Sequence, residues 1–356
     1  MTSSSSTDRV DSVANLTAHV DHSSRAVQRR TTLPAVACSM QNVSIMSILR
    51  NNVGKDLSTV TMPIVLNEPI SLLQKLCEEL EYSELLNEAA RTDDPIERLC
   101  FIAGFIVSGY SSTVHRAARK PFNPLLGETF EFVRPDRDYR IYQDSLLKTK
   151  FWGKSMELNN TGTVHLELPT LRDEYVWNKV TTSMRNLFAP GRYLEHHGVM
   201  KITSITTGHY CELTFKESGY FTSANNEVVG AATVIWRASP FPPNHADNYG
   251  FTQFAVELNE MSSDVVGLLP NTDVRFRPDQ RLYEEGKAEK AELEKLRLEQ
   301  KQRETRRLME AEGLEWTPQW FEVRKDEHSE GGRAWRYKGD YFESRGQFDN
   351  PMDLFS

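Results

Sequence analysis

The chain has 356 residues, a formal net charge of −8 and 39% hydrophobic residues. This length is enough for one large domain or two ordinary ones, and the hydrophobic fraction indicates a globular protein with a buried core. The acidic balance argues against a nucleic-acid-binding protein, because neutralising phosphates needs a basic surface. It leaves open a local basic patch that meets an anionic membrane.

The N-terminal part of the chain is rich in Ser, Thr, Asp and Arg and poor in apolar residues, which is typical of disorder. We therefore expect a disordered segment at 1–40 and one folded domain at 41–356. The first residues, MTSSSSTDRV, lack the apolar core of a secretory signal. The longest apolar stretch, Leu99–Val107, is far shorter than the roughly 20 residues that cross a bilayer. We expect a cytoplasmic protein that touches membranes from outside.

The cysteines at positions 38, 77, 100 and 211 are scattered, with no CxxC pair and no spacing typical of metal ligands. Free thiols of this kind suit a reducing compartment, and we expect neither a metal nor a cofactor. The sequence contains no P-loop and no GxGxxG, GxSxG or HExxH motif. We therefore expect no enzymatic activity.

A short amphipathic stretch opens the predicted domain. Residues 43–53, VSIMSILRNNV, place apolar side chains along one side of a helix. This helix is either docked on the body or a mobile flap, and the residues alone do not decide between the two. The segment from Gly54 to Pro69 is then predicted to be extended and partly buried.

Helices are predicted over 70–117. Ile70–Arg91 has apolar residues at a spacing of three to four, and Asp94–Ala117 begins with an Asp cap and Pro95 in its first turn. The second helix is apolar nearly all round between Leu99 and Val107, so we expect it in the core.

The run 119–132, RKPFNPLLGETFEF, follows these helices. Pro121 and Pro124 stiffen the backbone and exclude both a helix and a central strand. Lys120 and Asn123 lie three residues apart and can face one anion or one polar head group. The alternative is a rigid loop that precedes a strand at Thr129–Val133.

From Thr129 onward the hydrophobic pattern alternates with a period of two, which is typical of half-buried antiparallel strands. The turn at Ile205–His209 is a hairpin signal. We predict an antiparallel sheet over 129–260 that curls toward a barrel. Its further strands are predicted at Gly162–Leu168, Glu174–Thr182, His197–Thr206, His209–Lys216 and Phe251–Glu260.

The region 279–323 is predicted to be helical, with a charged helix over Asp279–Glu312 that has no apolar stripe. Lys295, Glu299 and Arg303 follow one another at a spacing of four, so Glu299 can pair with both cations. Such a row is either a solvated face or a clamp for a phosphate.

Aromatic residues in the tail, Trp316, Trp320 and Phe321, are predicted to pack back on the body. The predicted fold class is therefore α+β, with helices before and after a curved antiparallel sheet.

The run KPFNPLLGETFE resembles the signature of the oxysterol-binding-protein-related lipid-transfer family. The similarity continues at Lys150–Ser155 (KFWGKS), Tyr249–Glu260 (YGFTQFAVELNE) and Leu269–Arg281 (LPNTDVRFRPDQR), and it covers roughly Ser44 to Phe342. The resemblance implies an incomplete barrel around an apolar tunnel, covered by an N-terminal lid at 43–66.

The resemblance also implies a cytosolic carrier that exchanges a sterol and a phosphoinositide, phosphatidylinositol 4-phosphate, between membrane surfaces that it contacts transiently. Its head-group site would comprise Lys120, Asn123, Lys295, Glu299 and Arg303. Its lipid contacts in the lid and at the tunnel entrance would comprise Ile45, Ile48, Leu49, Leu57 and Val60.

Part of the family pattern is missing. The octapeptide E-Q-V-S-H-H-P-P, whose histidines bind the same phosphate in the family, has no counterpart after Ile141, and a second gap lies near Val229–Trp236. The adjacent pair His196-His197 lies where the family has a strand, so we do not assign the phosphate to it. The alternative function is a regulatory variant that binds membranes or partner proteins without carrying lipid.

Overall fold

The computed structural model describes residues 28–40, 62–134, 137–152, 155–187, 191–217, 227–230, 233–263, 265–329, 331–344 and 353–356. The five residues predicted to contact lipid in the lid and at the entrance, Ile45, Ile48, Leu49, Leu57 and Val60, lie outside the described residues.

Two short strands and three helices begin the fold. Strand β1 (Asn67–Ser71) pairs in parallel with β2 (Lys120–Phe122). Helices α1 (Leu72–Cys77), α2 (Glu84–Arg91) and α3 (Pro95–Ser108) follow β1. A capping box fixes the start of α1, since the side chains of Ser71 and Gln74 each accept a hydrogen bond from the other's main-chain N–H.

The single helix predicted over Ile70–Arg91 is wrong. Strand β1 runs to Ser71, and a 3-10 turn at Glu78–Leu80 separates α1 from α2. The buried Glu78 carboxylate pairs there with Lys75 at 2.8 Å and with Arg116, which is 38 residues away. The spacing of apolar residues cannot predict a long-range ion pair. The continuous period over Ile70–Arg91 therefore gave no sign of the turn between α1 and α2.

Helix α3 begins as predicted but is shorter than predicted. The Asp94 carboxylate accepts two main-chain hydrogen bonds of 2.8 and 2.9 Å, and Pro95 is the first helical residue. The helix ends at Ser108 instead of Ala117. Beyond it, the Ser111 hydroxyl donates to the Ser108 carbonyl at 2.7 Å, and such side-chain bonds compete with helix continuation.

Eight antiparallel strands form the curved sheet. In the described part of the chain their order is β3-β6-β7-β9-β8-β5-β4, with β10 also paired to β9. Among the described residues, the first and last strands of this order do not pair with each other, so the sheet is an open half-barrel. The strands are β3 (Arg140–Gln143), β4 (Leu146–Trp152), β5 (Ser155–Thr161), β6 (Thr163–Leu168), β7 (Asp173–Asn178), β8 (Thr181–Arg185), β9 (Tyr193–Ser204) and β10 (Tyr210–Phe215).

The predicted α+β class with a curved antiparallel sheet is confirmed. Strands β6, β9 and β10 lie where the period of two predicted them, and the Ser204 N–H donates to the His209 carbonyl at 2.9 Å across the predicted hairpin turn. The predicted strand Glu174–Thr182 is divided between β7 and β8. Strand β9 is 12 residues long and pairs first with β8 and then with β10.

Helix α3 packs on one face of this sheet. Its residues Leu99, Ile102 and Phe105 share a buried cluster with Leu166 of β6 and Met200 of β9. Burying each such side chain stabilises the fold by about 1.5–3 kcal/mol. The expectation of a core helix is therefore met between Leu99 and Phe105.

The rest of the chain adds helices and two hairpins. Helices α5 and α6 are separated at Gly286, whose φ of +77° suits glycine, so the predicted helix 279–312 is two helices. Among the described residues, no helix is long and apolar enough to cross a membrane. The elements are β11 (Glu227–Gly230), β12 (Thr233–Arg237), α4 (Gln253–Glu257), α5 (Pro278–Glu284), α6 (Ala288–Ala311), β13 (Phe321–Lys325) and β14 (Arg333–Tyr337).

The predicted strand Phe251–Glu260 is wrong, because this segment contains α4. The Thr252 hydroxyl caps that helix by accepting a 3.2 Å bond from the Ala255 N–H, and Ala255 and Val256 are buried. A short apolar run does not distinguish a strand from a buried helical turn.

Two further predicted elements also differ. The predicted strand Thr129–Val133 is reduced to one bridge between Thr129 and Asp273. The predicted helical region 279–323 ends in strand β13, where Phe321 is exposed, whereas Trp320 packs edge-on against Tyr341.

Residues 28–40 were expected to be disordered, but they pack on the body. Arg30 Nη2 lies 2.6 Å from Glu284 Oε1, and Arg29 Nε lies 2.8 Å from Glu260 Oε2. Leu33 is buried and its N–H donates to Asn248 Oδ1 at 2.9 Å. Composition alone does not show these long-range ion pairs.

Candidate functional site

The loop at 119–127 is held by its neighbours on one side. The Asn67 amide donates to the Pro121 carbonyl at 3.2 Å, and the Phe122 side chain is buried. Lys120 is half-buried at the start of β2, and its Nζ donates to Asn123 Oδ1 at 2.5 Å. The lysine and the amide that the sequence singled out therefore form one unit.

The charged row lies on α6. Lys295 is buried, and its Nζ lies 3.0 Å from Glu299 Oε1. Arg303 is exposed, and its Nη1 lies 3.9 Å from Glu299 Oε2. Lys295 Nζ also donates to the Met62 carbonyl at 2.7 Å. The carboxylate thus lies between two cations, one fixed in the interior and one at the surface.

The loop and the row meet. Burial lowers the pKa of the Lys120 amine to about 8, the nearby charges of Lys295 and Arg277 act in the same direction, and Glu299 opposes them. Lys120 of the loop therefore lies within electrostatic reach of Lys295 and Glu299 of the charged row. A second contact joins the two elements, since the Leu126 N–H donates to Gln302 Oε1 at 3.0 Å.

Arg277 binds the main chain of the loop at Asn123. Its guanidinium donates to the Asn123 carbonyl at 2.9 Å and to Glu128 Oε2 at 2.8 Å, and it pairs with Asp279 at 2.9 Å. All three ionic side chains are buried in contact with one another. A planar guanidinium with several fixed donors suits this role better than a lysine would.

A cavity of about 230 Å³ lies between the end of α3 and the sheet. Its lining surface is mainly apolar, as is usual for small-molecule pockets, although charged residues such as Lys75, Glu79 and Lys179 also contribute to it. Representative lining residues are Leu76, Phe105, Tyr110, Trp177, Leu194 and His196.

His196 is one of the polar residues that line this cavity. Its Nδ1 lies 2.9 Å from the Thr182 hydroxyl and its Nε2 lies 3.1 Å from the Thr113 hydroxyl, while its ring packs on Tyr110. Burial lowers the pKa of His196 to about 4, and the charge of Lys75 adds to that effect. The imidazole is therefore neutral at pH 7 and has both nitrogens engaged.

The family model described as oxysterol-binding protein matches residues 44–145, 137–234 and 230–346. The chain belongs to the oxysterol-binding protein family. This membership agrees with the expectation that the chain is not an enzyme.

Two curated relatives illustrate the similarity. Oxysterol-binding protein-related protein 3 of Mus musculus is 42% identical over 369 positions, covering 89% of this chain and 42% of the relative. Oxysterol-binding protein-related protein 6 of Mus musculus is 43% identical over 368 positions, covering 89% of this chain and 38% of the relative. The chain thus spans about two fifths of the length of these relatives.

Solved structures show the same fold. The Osh3 ORD of Saccharomyces cerevisiae in complex with PI(4)P is 34% identical, with a TM-score of 0.78, covering 93% of this chain and 98% of that one. The Osh1 ORD domain in complex with cholesterol is 28% identical, with a TM-score of 0.80, covering 99% of both chains.

The sequence analysis named five head-group candidates, which stay predictions, and it gave no role to two residues that the structure places beside the loop and in the cavity. Arg277 lies within the LPNTDVRFRPDQR run, yet its contact with the Asn123 carbonyl joins residues 154 positions apart. His196 was correctly placed in a strand, but the alternation of that strand did not show that its ring lines a cavity. In the described residues there is no group of three or more His, Cys, Asp or Glu that could hold a metal ion.

Proposed function

We propose that this chain binds one lipid at a time, either a sterol or phosphatidylinositol 4-phosphate, and exchanges the two between the cytoplasmic surfaces of membranes. The observation that carries the proposal is the cationic cluster of Lys120, Lys295 and Arg303 around Glu299. The similar Osh3 and Osh1 domains bound to PI(4)P and to cholesterol support it.

The head-group site would work as follows. An ammonium has three donors, and in Lys295 the Met62 carbonyl and Glu299 take two of them. A phosphate between Lys120 and Lys295 would accept the third and would relieve the repulsion that lowers the pKa of Lys120. Arg303 is exposed and can turn its guanidinium from Glu299 toward the same anion.

The lid would close over the same helix. The Met62 carbonyl lies on Lys295, and the Ile64 N–H donates to Glu292 Oε2 at 2.5 Å. The C-terminal end of the predicted lid, at Met62 and Ile64, thus makes hydrogen bonds to α6 beside the head-group candidates. The lid residues Ile45, Ile48 and Leu49 would cover the lipid, with Leu57 and Val60 at the entrance.

The cavity beside α3 would take the apolar part of the ligand. Removing apolar surface from water favours binding by about 25 cal/mol for each Å². Since ligand pockets usually enclose roughly 300–1,000 Å³, the observed 230 Å³ would hold only part of a sterol or acyl chain. The remainder would extend toward the lid.

The head-group site is proposed to be a half-site. The alignments with the two relatives extend over 369 and 368 positions, yet they include only 89% of the residues of this chain. The relatives therefore contain residues that have no counterpart in this chain. This supports the predicted loss of the histidine-containing octapeptide. His196 does not replace it, because the two threonine hydroxyls engage both ring nitrogens.

Extraction from liposomes tests the proposal. The chain should remove labelled sterol and labelled phosphatidylinositol 4-phosphate from vesicles. Lys120→Ala and Arg303→Ala should each weaken phosphoinositide uptake at least about tenfold, since a bond to a charged group contributes about 1.5–3 kcal/mol. Sterol uptake should change little.

Lys290→Ala is the matched control, because it removes an exposed lysine from another side of the same helix. Uptake of neither lipid by the unmodified chain would refute the carrier function and would favour the regulatory variant. Normal phosphoinositide uptake by both alanine variants would show that the head-group site lies elsewhere.

A further inference from the structure

Residues 353–356, Asp-Leu-Phe-Ser, lie on α6. Lys301 Nζ donates to the main-chain oxygens of Asp353 at 2.7 Å and Ser356 at 2.9 Å. Arg297 Nη2 donates to the Phe355 carbonyl at 2.6 Å. Two cations of the helix thus hold three main-chain oxygens of a four-residue segment.

The two apolar side chains of the segment enter separate depressions. Leu354 lines a groove of about 110 Å³ together with Leu126, Leu298, Met309 and Trp316. Phe355 lines an adjoining open depression of about 540 Å³ whose apolar members include Met261, Phe276 and Leu282. Both side chains are half-buried.

The segment is folded as a turn. The Asp353 carboxylate accepts the Ser356 N–H at 3.2 Å and also the Ser356 hydroxyl. Asp353 therefore closes the turn, and the turn sends Leu354 and Phe355 into different depressions while its carbonyls face the cations. The helix face thus contacts particular types of side chain at defined positions of the segment, as peptide-recognition grooves do.

We propose that this face of α6 is a peptide-docking groove for a short turn of the type Asp-Leu-Phe-Ser, that residues 353–356 occupy it in the same molecule, and that a partner peptide of the same chemistry displaces them. Only four described residues of the segment contact the groove. The segment competes with a free peptide because its attachment to the chain gives it a high effective concentration at the groove. The segment lies beyond the residues that match the family model, which end at 346.

The groove is distinct from the head-group site but shares structure with it. Lys301 and Arg297 lie on other sides of α6 from the row that begins at Lys295, given 3.6 residues in each helical turn. The groove nevertheless contains Leu125 and Leu126, which belong to the same loop as Lys120. An exchange of occupants would therefore affect the loop that carries two of the five head-group candidates.

Binding of a labelled peptide with the sequence of residues 349–356, DNPMDLFS, tests the proposal by fluorescence anisotropy. In the full chain, Leu354→Asp with Phe355→Asp should release the tethered segment. We expect this released chain to bind the peptide at least about tenfold more tightly than the unmodified chain, because the tether no longer competes.

Adding Met309→Asp or Lys301→Glu to the released chain should abolish binding, whereas adding Lys290→Glu should not. A peptide with both apolar residues changed to Asp should not bind. Circular dichroism should show that each variant is folded, and Leu354→Ala with Phe355→Ala is the milder substitute where the first pair is not. The proposal would be overturned if the released and unmodified chains bound the peptide with equal affinity, or if Met309→Asp left binding to the released chain unchanged.

Discussion

The pH dependence of phosphoinositide uptake is the sharpest test of the head-group site. The pKa of Lys120 is lowered to about 8, first by burial and then by Lys295 and Arg277. The anion binds the protonated amine, so binding takes up a proton as the pH rises past this value. The phosphate itself does not titrate in this window, because its second pKa is about 6.

The magnitude follows from the protonated fraction. With a pKa of about 8, Lys120 is about nine-tenths protonated at pH 7 and about one-tenth protonated at pH 9. The Kd for phosphatidylinositol 4-phosphate should therefore rise about tenfold over those two pH units. An unperturbed lysine, with a pKa of about 10.4, would change it very little.

Liposome extraction at pH 7, 8 and 9 measures this effect, with sterol uptake in the same vesicles as the internal control. Lys120→Arg is the matched variant, because arginine stays charged throughout the range. Its affinity can be lower, but its profile should be flat. Parallel profiles for the unmodified chain and Lys120→Arg, or no change up to pH 9, would refute the assignment of Lys120.

Two stability predictions use matched pairs and urea unfolding. Gly250 and Gly208 have φ of +78° and +74°, but a Cβ on Gly250 would lie 2.8 Å from a main-chain oxygen, whereas one on Gly208 would meet no described atom within 4 Å. Gly208→Ala should cost about 1–2 kcal/mol and Gly250→Ala about 1–3 kcal/mol more; equal costs would contradict the contact. Arg98→Met should cost about 3–5 kcal/mol, because it strands the buried Asp173 carboxylate 3.1 Å away. The exposed Arg91→Met should cost less than about 1 kcal/mol, and a similar loss in both arginine variants would disprove the argument from burial.

Sequence patterns among neighbouring residues predicted much of the fold. The period of two located β6, β9 and β10, and the cap at Asp94 located the start of α3, because both signals depend on neighbours in sequence. The errors arose where distant residues decide the outcome. The predicted helix over Ile70–Arg91 is interrupted at Glu78, whose carboxylate pairs with Arg116, a residue outside that segment. Strands β4 and β5 were missed altogether.

The candidate site shows the same division. A spacing of four was enough to place Glu299 between Lys295 and Arg303, since all three lie on one helix. The approach of Lys120 to Lys295 joins residues 175 positions apart in the printed sequence, and no local pattern reports it. The family resemblance supplied that pairing. Neither spacing nor resemblance identified Arg277 or the cavity-lining role of His196.

The way in which the two halves of the site are held suggests how the chain would distinguish its ligands. The Arg277 guanidinium donates to the Asn123 carbonyl, and the Leu126 N–H donates to Gln302 Oε1 of α6, so hydrogen bonds hold the loop on two sides. These bonds hold the loop where the charge of Lys295 contributes, after burial, to lowering the pKa of Lys120. An anionic head group bound there would lower the repulsion between these two lysines, whereas an uncharged sterol would gain nothing from it. Discrimination between the two lipids would then occur at the rim, and the apolar cavity would accept either.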